Sequence, residues 1–168
     1  PHGMRYRVLI LPNQRTMLPG TLEQVARLVR AGATVVGPKP EQSPSLADFP
    51  ACDRRVRALA AQIWGDCDGE TVTEHAAGRG RVYWGKPLPD ILAALNAPPD
   101  VEITGPTPPA TLAWIHRRIG DTEVYFLSNQ RRAFAEITAT FRVNGAVPEL
   151  WHPDTGAVEK APLYDSTT

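Results

Sequence analysis

The 168-residue sequence has little cysteine, no excess of either charge and no long apolar run. Its 18 basic and 18 acidic side chains cancel, so charge gives no reason to expect nucleic acid or an anionic membrane surface as a partner. No apolar run approaches the ~20 residues that a transmembrane helix needs. No stretch has the pattern of a signal peptide, and Pro1-His2-Gly3 before Met4 looks like the remnant of an expression tag. Residues 1–3 are therefore not expected to form part of the fold.

The two cysteines, Cys52 and Cys67, are predicted to be free thiols. Cys52 stands at the start of a predicted helix and Cys67 follows its end, which separates them by ~20 Å if the helix is straight. A disulfide needs Cα atoms within roughly 7 Å of each other. Neither cysteine lies on the sharp strand-to-helix turn where a nucleophilic cysteine with a histidine partner is expected.

Residues 4–98 alternate between strand and helix patterns. The apolar run Arg7 to Leu11 predicts a strand buried on both faces, and Ala33 to Val36 predicts a second one. Between them, apolar residues recur at helical spacing, with Thr21 as the expected N-cap and Gly32 as the residue after the helix. This order of strand, helix and strand predicts a parallel sheet in an α/β domain.

Three further elements complete this predicted domain. An apolar stripe at helical spacing predicts a second helix; its residues are Val56, Leu59, Ala60, Ile63 and Trp64. Arg81 to Trp84 predicts a third strand, and Pro87 to Leu95 a short helix. The glycine-rich stretch between the second helix and the third strand is interpreted as a turn.

Residues 99–168 follow a different pattern, typical of consecutive antiparallel strands. Gly120-Asp121 joins two strand-like runs as a predicted hairpin turn, and Asn144-Gly145 marks a second tight turn. Four or five strands are too few to close a sandwich, so an incomplete sandwich is expected. Unpaired strands such as Ala135 to Val143 invite pairing with another copy, which predicts a homo-oligomer formed through the C-terminal strands.

Four strings carry a resemblance to a known family: residues 5–69, then GRGRVYWGKPL, WIHRRIGDTEVYFLSNQ and TFRVNGAVPELWHPDTG. In this order they resemble the C-terminal half of the α-L-rhamnosidase-type glycoside hydrolases of family 106. The resemblance implies a flavodoxin-like, class I glutamine-amidotransferase-like domain followed by the first strands of a β-sandwich. It also implies a carbohydrate substrate and a periplasmic or secreted bacterial parent protein.

The family's catalytic acids lie in a barrel that this chain lacks, so the resemblance assigns none of them to a position here. It therefore implies a non-catalytic accessory portion whose partner is the missing barrel or a carbohydrate. Two alternatives stay open. One is a free-standing small glycosidase that uses its own carboxylates, and the other is a carbohydrate-binding or oligomerisation module.

The densest supply of carboxylates is the stretch GDCDGE, which contains Asp66, Asp68 and Glu70. A glycosidase needs two carboxyl groups, ~5 Å apart for retention or ~6.5–9.5 Å apart for inversion. Oxygen ligands at alternating positions beside a glycine turn also make these residues candidates for Ca²⁺, although the downstream glutamate of an EF-type loop is missing. The competing interpretation is a solvated acidic turn. No other cofactor is expected.

The candidate sugar-binding residues lie on the predicted hairpin: Trp114, His116, Arg117 and Asn129. Aromatic rings stack on the C–H faces of sugars, while polar groups bind the hydroxyls. Strand alternation places His116 and Arg118 on one face and Arg117 on the other. The alternative interpretation is an interdomain ion pair with Asp121 or Glu123.

Overall fold

The computed structural model describes residues 6–106 and 111–166. The predicted tag remnant at residues 1–3 lies outside these ranges. The chain divides into two units, Pro1–Ala97 and Pro98–Thr168, and each is described by itself. Within the described ranges, no helix combines the length and apolar character needed to cross a membrane.

Over residues 6–97 the first unit has four strands and three helices: β1 (Val8–Ile10), α1 (Pro19–Ala31), β2 (Thr34–Val36), α2 (Ala51–Trp64), β3 (Glu74–Ala77), β4 (Gly80–Tyr83) and α3 (Leu88–Ala94). The strands form one sheet in the order β1-β2-β4-β3, in which β1, β2 and β4 are parallel and β3 is antiparallel to β4. The flavodoxin-like or amidotransferase-like class of this unit stays a prediction.

The core of the first unit lies where α1 and α2 pack on each other and on the sheet. Leu22 and Val29 of α1 and Ile63 of α2 are fully buried, together with Val35 and Val82, which are register partners on β2 and β4. The helical spacing of the apolar residues in the sequence therefore matches the faces that the two helices bury. This packing fixes the positions at which the loops leave the sheet.

Three local predictions for this unit are wrong. The helix α1 begins at Pro19 rather than at a Thr21 cap, since proline has a backbone angle suited to the first helical position. β1 is an edge strand of the described sheet, and Leu9 and Ile10 are 37% and 57% exposed instead of buried. Residues Glu74–Ala77 form the strand β3 where the sequence predicts a turn; their sequence EHAA has none of the β-branched residues that favour strands, so the pattern gives no strand signal there.

Over residues 98–106 and 111–166 the second unit has six strands: β5 (Val101–Thr104), β6 (Leu112–Ile119), β7 (Thr122–Asn129), β8 (Thr138–Phe141), β9 (Glu149–Trp151) and β10 (Val158–Lys160). In the described residues they pair two by two, β5 with β8, β6 with β7 and β9 with β10, all antiparallel. The predicted hairpin at Gly120-Asp121 is confirmed. β8 pairs back with β5 and not across the Asn144-Gly145 turn with β9.

Candidate functional site

The carboxylate of Asp68 holds together the loop that follows α2. Its Oδ1 accepts backbone N–H bonds from Glu70 at 2.8 Å, Thr71 at 2.8 Å and Val72 at 2.9 Å. Its Oδ2 accepts a hydrogen bond from the Thr71 hydroxyl at 2.5 Å. The Thr71 hydroxyl and these N–H groups stabilise the anion, so the pKa of Asp68 lies far below its usual range. Asp68 is therefore an ionised acceptor in a turn and not a proton donor.

The other two candidate acids do not join Asp68 in a shared site. Asp66 has a side chain that is 78% exposed, and its Oδ1 lies 3.7 Å from His75 Nδ1. Glu70 contacts Asp68 through its backbone N–H, and not through a side-chain carboxylate that could bind a metal ion together with Asp68. Within residues 6–106 and 111–166, no group of three or more histidine, cysteine, aspartate or glutamate side chains is arranged to hold a metal ion.

Both cysteines are buried and free. Burial raises the pKa of the Cys67 thiol, and the nearby charge of Asp66 raises it further. A raised pKa keeps the sulfur protonated at neutral pH, whereas a nucleophilic cysteine needs its thiolate. The chemistry of an amidotransferase is thus not supported at Cys67.

On the hairpin of β6 and β7, His116 lies between two carboxylates. Its Nε2 is 2.8 Å from Glu123 Oε2, and its Nδ1 is 3.3 Å from Asp100 Oδ2. The imidazole also stacks on Tyr125, with ring centroids 4.1 Å apart. Of the two acidic partners considered from the sequence, the structure pairs Glu123 with His116, and Arg118 Nε lies 3.6 Å from the same carboxylate.

Asp100 is the member of this cluster that the sequence did not indicate. Burial raises the pKa of Asp100, but hydrogen bonds from Arg142 and His116 outweigh burial and leave the pKa below its ordinary value. Asp100 directly precedes β5, whereas His116 lies 16 positions further along the chain on β6, in a different sheet from β5. No sequence signal predicts this contact, since it depends on how the hairpin packs on β5.

The four candidate sugar-binding residues do not form one surface. The strand register places Trp114, His116 and Asn129 on one face of the hairpin and Arg117 on the other. Asn129 uses its side-chain amide within its own loop, donating to the Ala133 carbonyl at 2.7 Å and accepting from the Arg131 N–H at 3.0 Å. Trp114 is 42% exposed and remains accessible.

The family model described as alpha-L-rhamnosidase, glycoside hydrolase family 106, matches residues 1–166. The chain therefore belongs to this family of glycoside hydrolases, and the family predicted from the sequence is confirmed.

Two relatives show how the chain compares with longer proteins. It is 36% identical to a rhamnosidase of known structure from Novosphingobium sp. PP1Y, with a TM-score of 0.78 over 95% of this chain and 15% of that one. It is 30% identical over 166 residues to a Formosa agariphila protein named "Putative beta-glucuronidase", which covers 99% of this chain and 13% of the relative. The chain thus spans a small part of the length of both relatives.

Proposed function

We propose that the chain is a non-catalytic accessory portion of a rhamnosidase-type glycoside hydrolase that acts on plant or microbial glycans. The observation that carries the proposal is the hydrogen bonding of Asp68. A glycosidase needs a general acid whose pKa is raised, paired with a second carboxylate across the scissile bond. Asp68 has a lowered pKa and all of its described contacts lie within its own loop.

The extent of the matches supports the same proposal. The relatives match almost the whole of this chain, while the chain accounts for only 13% and 15% of their lengths. A glycosidase of that length has ample room for its reactive acids outside the matched region. The catalytic portion would then be the partner of this chain, in a periplasmic or secreted protein.

The hairpin offers a surface for contact with that catalytic portion. Ile115, Ile119 and Phe126 share the face opposite His116 and are 44%, 69% and 51% exposed. Neighbouring exposed apolar side chains are typical of surfaces that pack against another protein. We therefore assign the contact with the catalytic portion to this apolar hairpin face (Ile115, Ile119 and Phe126).

The test is a hydrolysis assay on the purified chain. Aryl α-L-rhamnosides, β-glucuronides and β-galactosides serve as substrates. Their hydrolysis releases an aryl alcohol that is measured directly, without a second enzyme. We expect no turnover above the buffer rate, because Asp68, in the densest stretch of carboxylates, is a hydrogen-bonded anion with a lowered pKa and not a general acid.

The competing function, a free-standing glycosidase, predicts that the purified chain does hydrolyse these substrates. Turnover that persists through repeated purification and disappears in Asp66→Ala or Asp68→Ala would overturn the accessory role. A circular-dichroism spectrum of each variant shows whether lost turnover follows from lost folding.

A further inference from the structure

A cleft of about 450 Å³ lies in the first unit, beyond the carboxyl ends of its parallel strands. Several of the residues that line it follow these strands: Arg15 comes after β1, Lys39 and Glu41 come after β2, and Trp84 comes directly after β4. Cys67 and Asp68, from the loop after α2, also line it. Arg57 from α2 completes the cationic part of the wall. Ligands of open α/β sheets bind beyond the carboxyl ends of the strands, and this volume is within the range of small-molecule sites.

The wall of the cleft is held by backbone hydrogen bonds between two loops. The Glu41 N–H donates to the Arg15 carbonyl at 2.8 Å, and the Met17 N–H donates to the Gln42 carbonyl at 3.1 Å. These bonds tie the loop after β1 to the loop after β2. The two loops therefore position their cations together.

Two cations at the cleft have no acidic partner among the described residues. Lys39 Nζ donates to the Gly65 carbonyl at 2.6 Å, and Arg57 donates to the Glu41 carbonyl at 3.3 Å. Neither forms an ion pair with any residue in the part of the chain that the structure describes. Both retain donors for an incoming anion, because an ammonium has three N–H groups and a guanidinium has five.

The acids of the cleft are already engaged. Glu41 pairs with Arg15 at 2.5 Å, and Asp68 accepts hydrogen bonds from its own loop. The charged side chains that line the cleft are three cations, Arg15, Lys39 and Arg57, and two anions, Glu41 and Asp68, so one positive charge is left in excess to attract an anion from solution. A carboxylate fits this arrangement, because it accepts hydrogen bonds from both Lys39 and Arg57 through its two oxygens.

Trp84 provides an aromatic surface beside these cations. A Cβ at Gly69 would lie 2.6 Å from the indole, so the ring packs directly on the backbone there and is held in place. The Arg15 guanidinium stands 5.4 Å from the ring centroid. The indole is half-buried, so part of it remains open to a ligand.

The geometry points to this cleft as a binding site for a sugar acid, a uronate whose carboxylate pairs with Lys39 and Arg57 and whose ring contacts Trp84. The anion site stands on the described contacts alone. The choice of a sugar as the carrier of the carboxylate rests on the proposed carbohydrate function.

Calorimetric titration of the chain with sodium galacturonate at low ionic strength tests this site. Galactose and sodium acetate are the matched probes, since the first lacks the carboxylate and the second lacks the ring. We expect galacturonate to bind about tenfold more tightly than either, because each partial probe loses one of the two interactions. Arg57→Ala should weaken galacturonate binding about tenfold by removing charge-assisted hydrogen bonds.

Arg54→Ala is the matched control, because Arg54 is exposed on the same helix and does not line the cleft. It should bind galacturonate as the original chain does. Equal binding of galacturonate and galactose, or equal effects of Arg57→Ala and Arg54→Ala, would overturn the anion site. Equal binding of acetate and galacturonate would overturn the proposal that the ligand is a sugar acid. Hydrolysis of aryl glycosides by this chain would instead contradict the accessory function and leave the titration result intact.

Discussion

The carboxylate of Asp68 accepts hydrogen bonds from three backbone N–H groups and one hydroxyl, all within four residues along the chain. Such a carboxylate replaces the hydrogen bonds that these groups would otherwise make with water. Its negative charge strengthens each bond, and the lowered pKa reflects this. The charge of Asp68 thus stabilises the conformation of its own loop.

We predict that Asp68→Asn lowers the melting temperature of the chain at pH 7. Because folding lowers the pKa of Asp68 from its ordinary value of 3.8, the ionised form stabilises the folded state above that value. This stabilisation is lost as the pH falls through the folded-state pKa. Thermal melts from pH 7 to pH 2 should show a difference between the two proteins that is constant above about pH 5 and shrinks below about pH 4.

Asp66→Asn is the control for this prediction, since the Asp66 side chain is 78% exposed and its Oδ1 lies 3.7 Å from His75 Nδ1, beyond hydrogen-bond distance. Its melting temperature should match that of the original chain. An Asp68→Asn protein with an unchanged melting temperature at pH 7 would contradict the structural role of Asp68.

At the scale of elements, the crossing of α1 and β4 depends on Gly80. A Cβ at this position would lie 2.1 Å from the Val29 carbonyl oxygen and 2.4 Å from the Ala33 carbonyl oxygen. Both atoms belong to the backbone, so no side-chain rotation relieves the contact. The glycine therefore permits the close approach of strand and helix.

We predict that Gly80→Ala lowers the free energy of unfolding by about 3 kcal/mol, because the backbone must move to admit the methyl group. Gly20→Ala is the matched control, since nothing lies within 4 Å of the added Cβ in the first turn of α1. It should raise the free energy of unfolding by roughly 0.5 kcal/mol, as alanine favours helix over glycine. Urea denaturation measures both, and equal effects would show that the crossing tolerates a side chain.

At the scale of the whole molecule, burial is concentrated in the first unit. The buried residues of the described chain fall within Pro1–Ala97 except for Val101 and Thr111. Trp151, Val158 and Leu163 are 65%, 54% and 92% exposed in the second unit. The first unit therefore has the larger share of the free energy that apolar burial supplies.

Hydrogen exchange followed by mass spectrometry should show this difference directly. We predict that amides of α1, β2, α2 and β4 exchange slowly, and that amides of β9 and β10 exchange at least ~100-fold faster, because few apolar contacts oppose their opening. Comparable protection in the two units would mean that the second unit is stabilised by contacts other than apolar burial.

The strands of the second unit also carry a prediction about self-association. In the described residues each of its sheets has two strands, so every strand has one edge without a strand partner there. We predict that the 18.4 kDa chain forms dimers or larger assemblies whose mass by light scattering rises with concentration.

Val158→Lys should lower the associated fraction, because an exposed lysine on an edge strand opposes pairing with a second copy. Leu46→Lys serves as the control, since Leu46 is 84% exposed in the first unit and lies outside any strand. A monomer at all concentrations would contradict association through these strands.

The sequence by itself determined the family of the chain. It also determined the local elements whose side-chain pattern repeats: the apolar stripes of α1 and α2, the central strands and the Gly120-Asp121 hairpin. Repetition carries this information because each buried face recurs with the period of its element. Only the tertiary structure decided which atoms meet, such as Asp100 with His116, or Lys39 and Arg57 at one cleft. Those contacts join residues from different elements, and their distances depend on packing that no local pattern records.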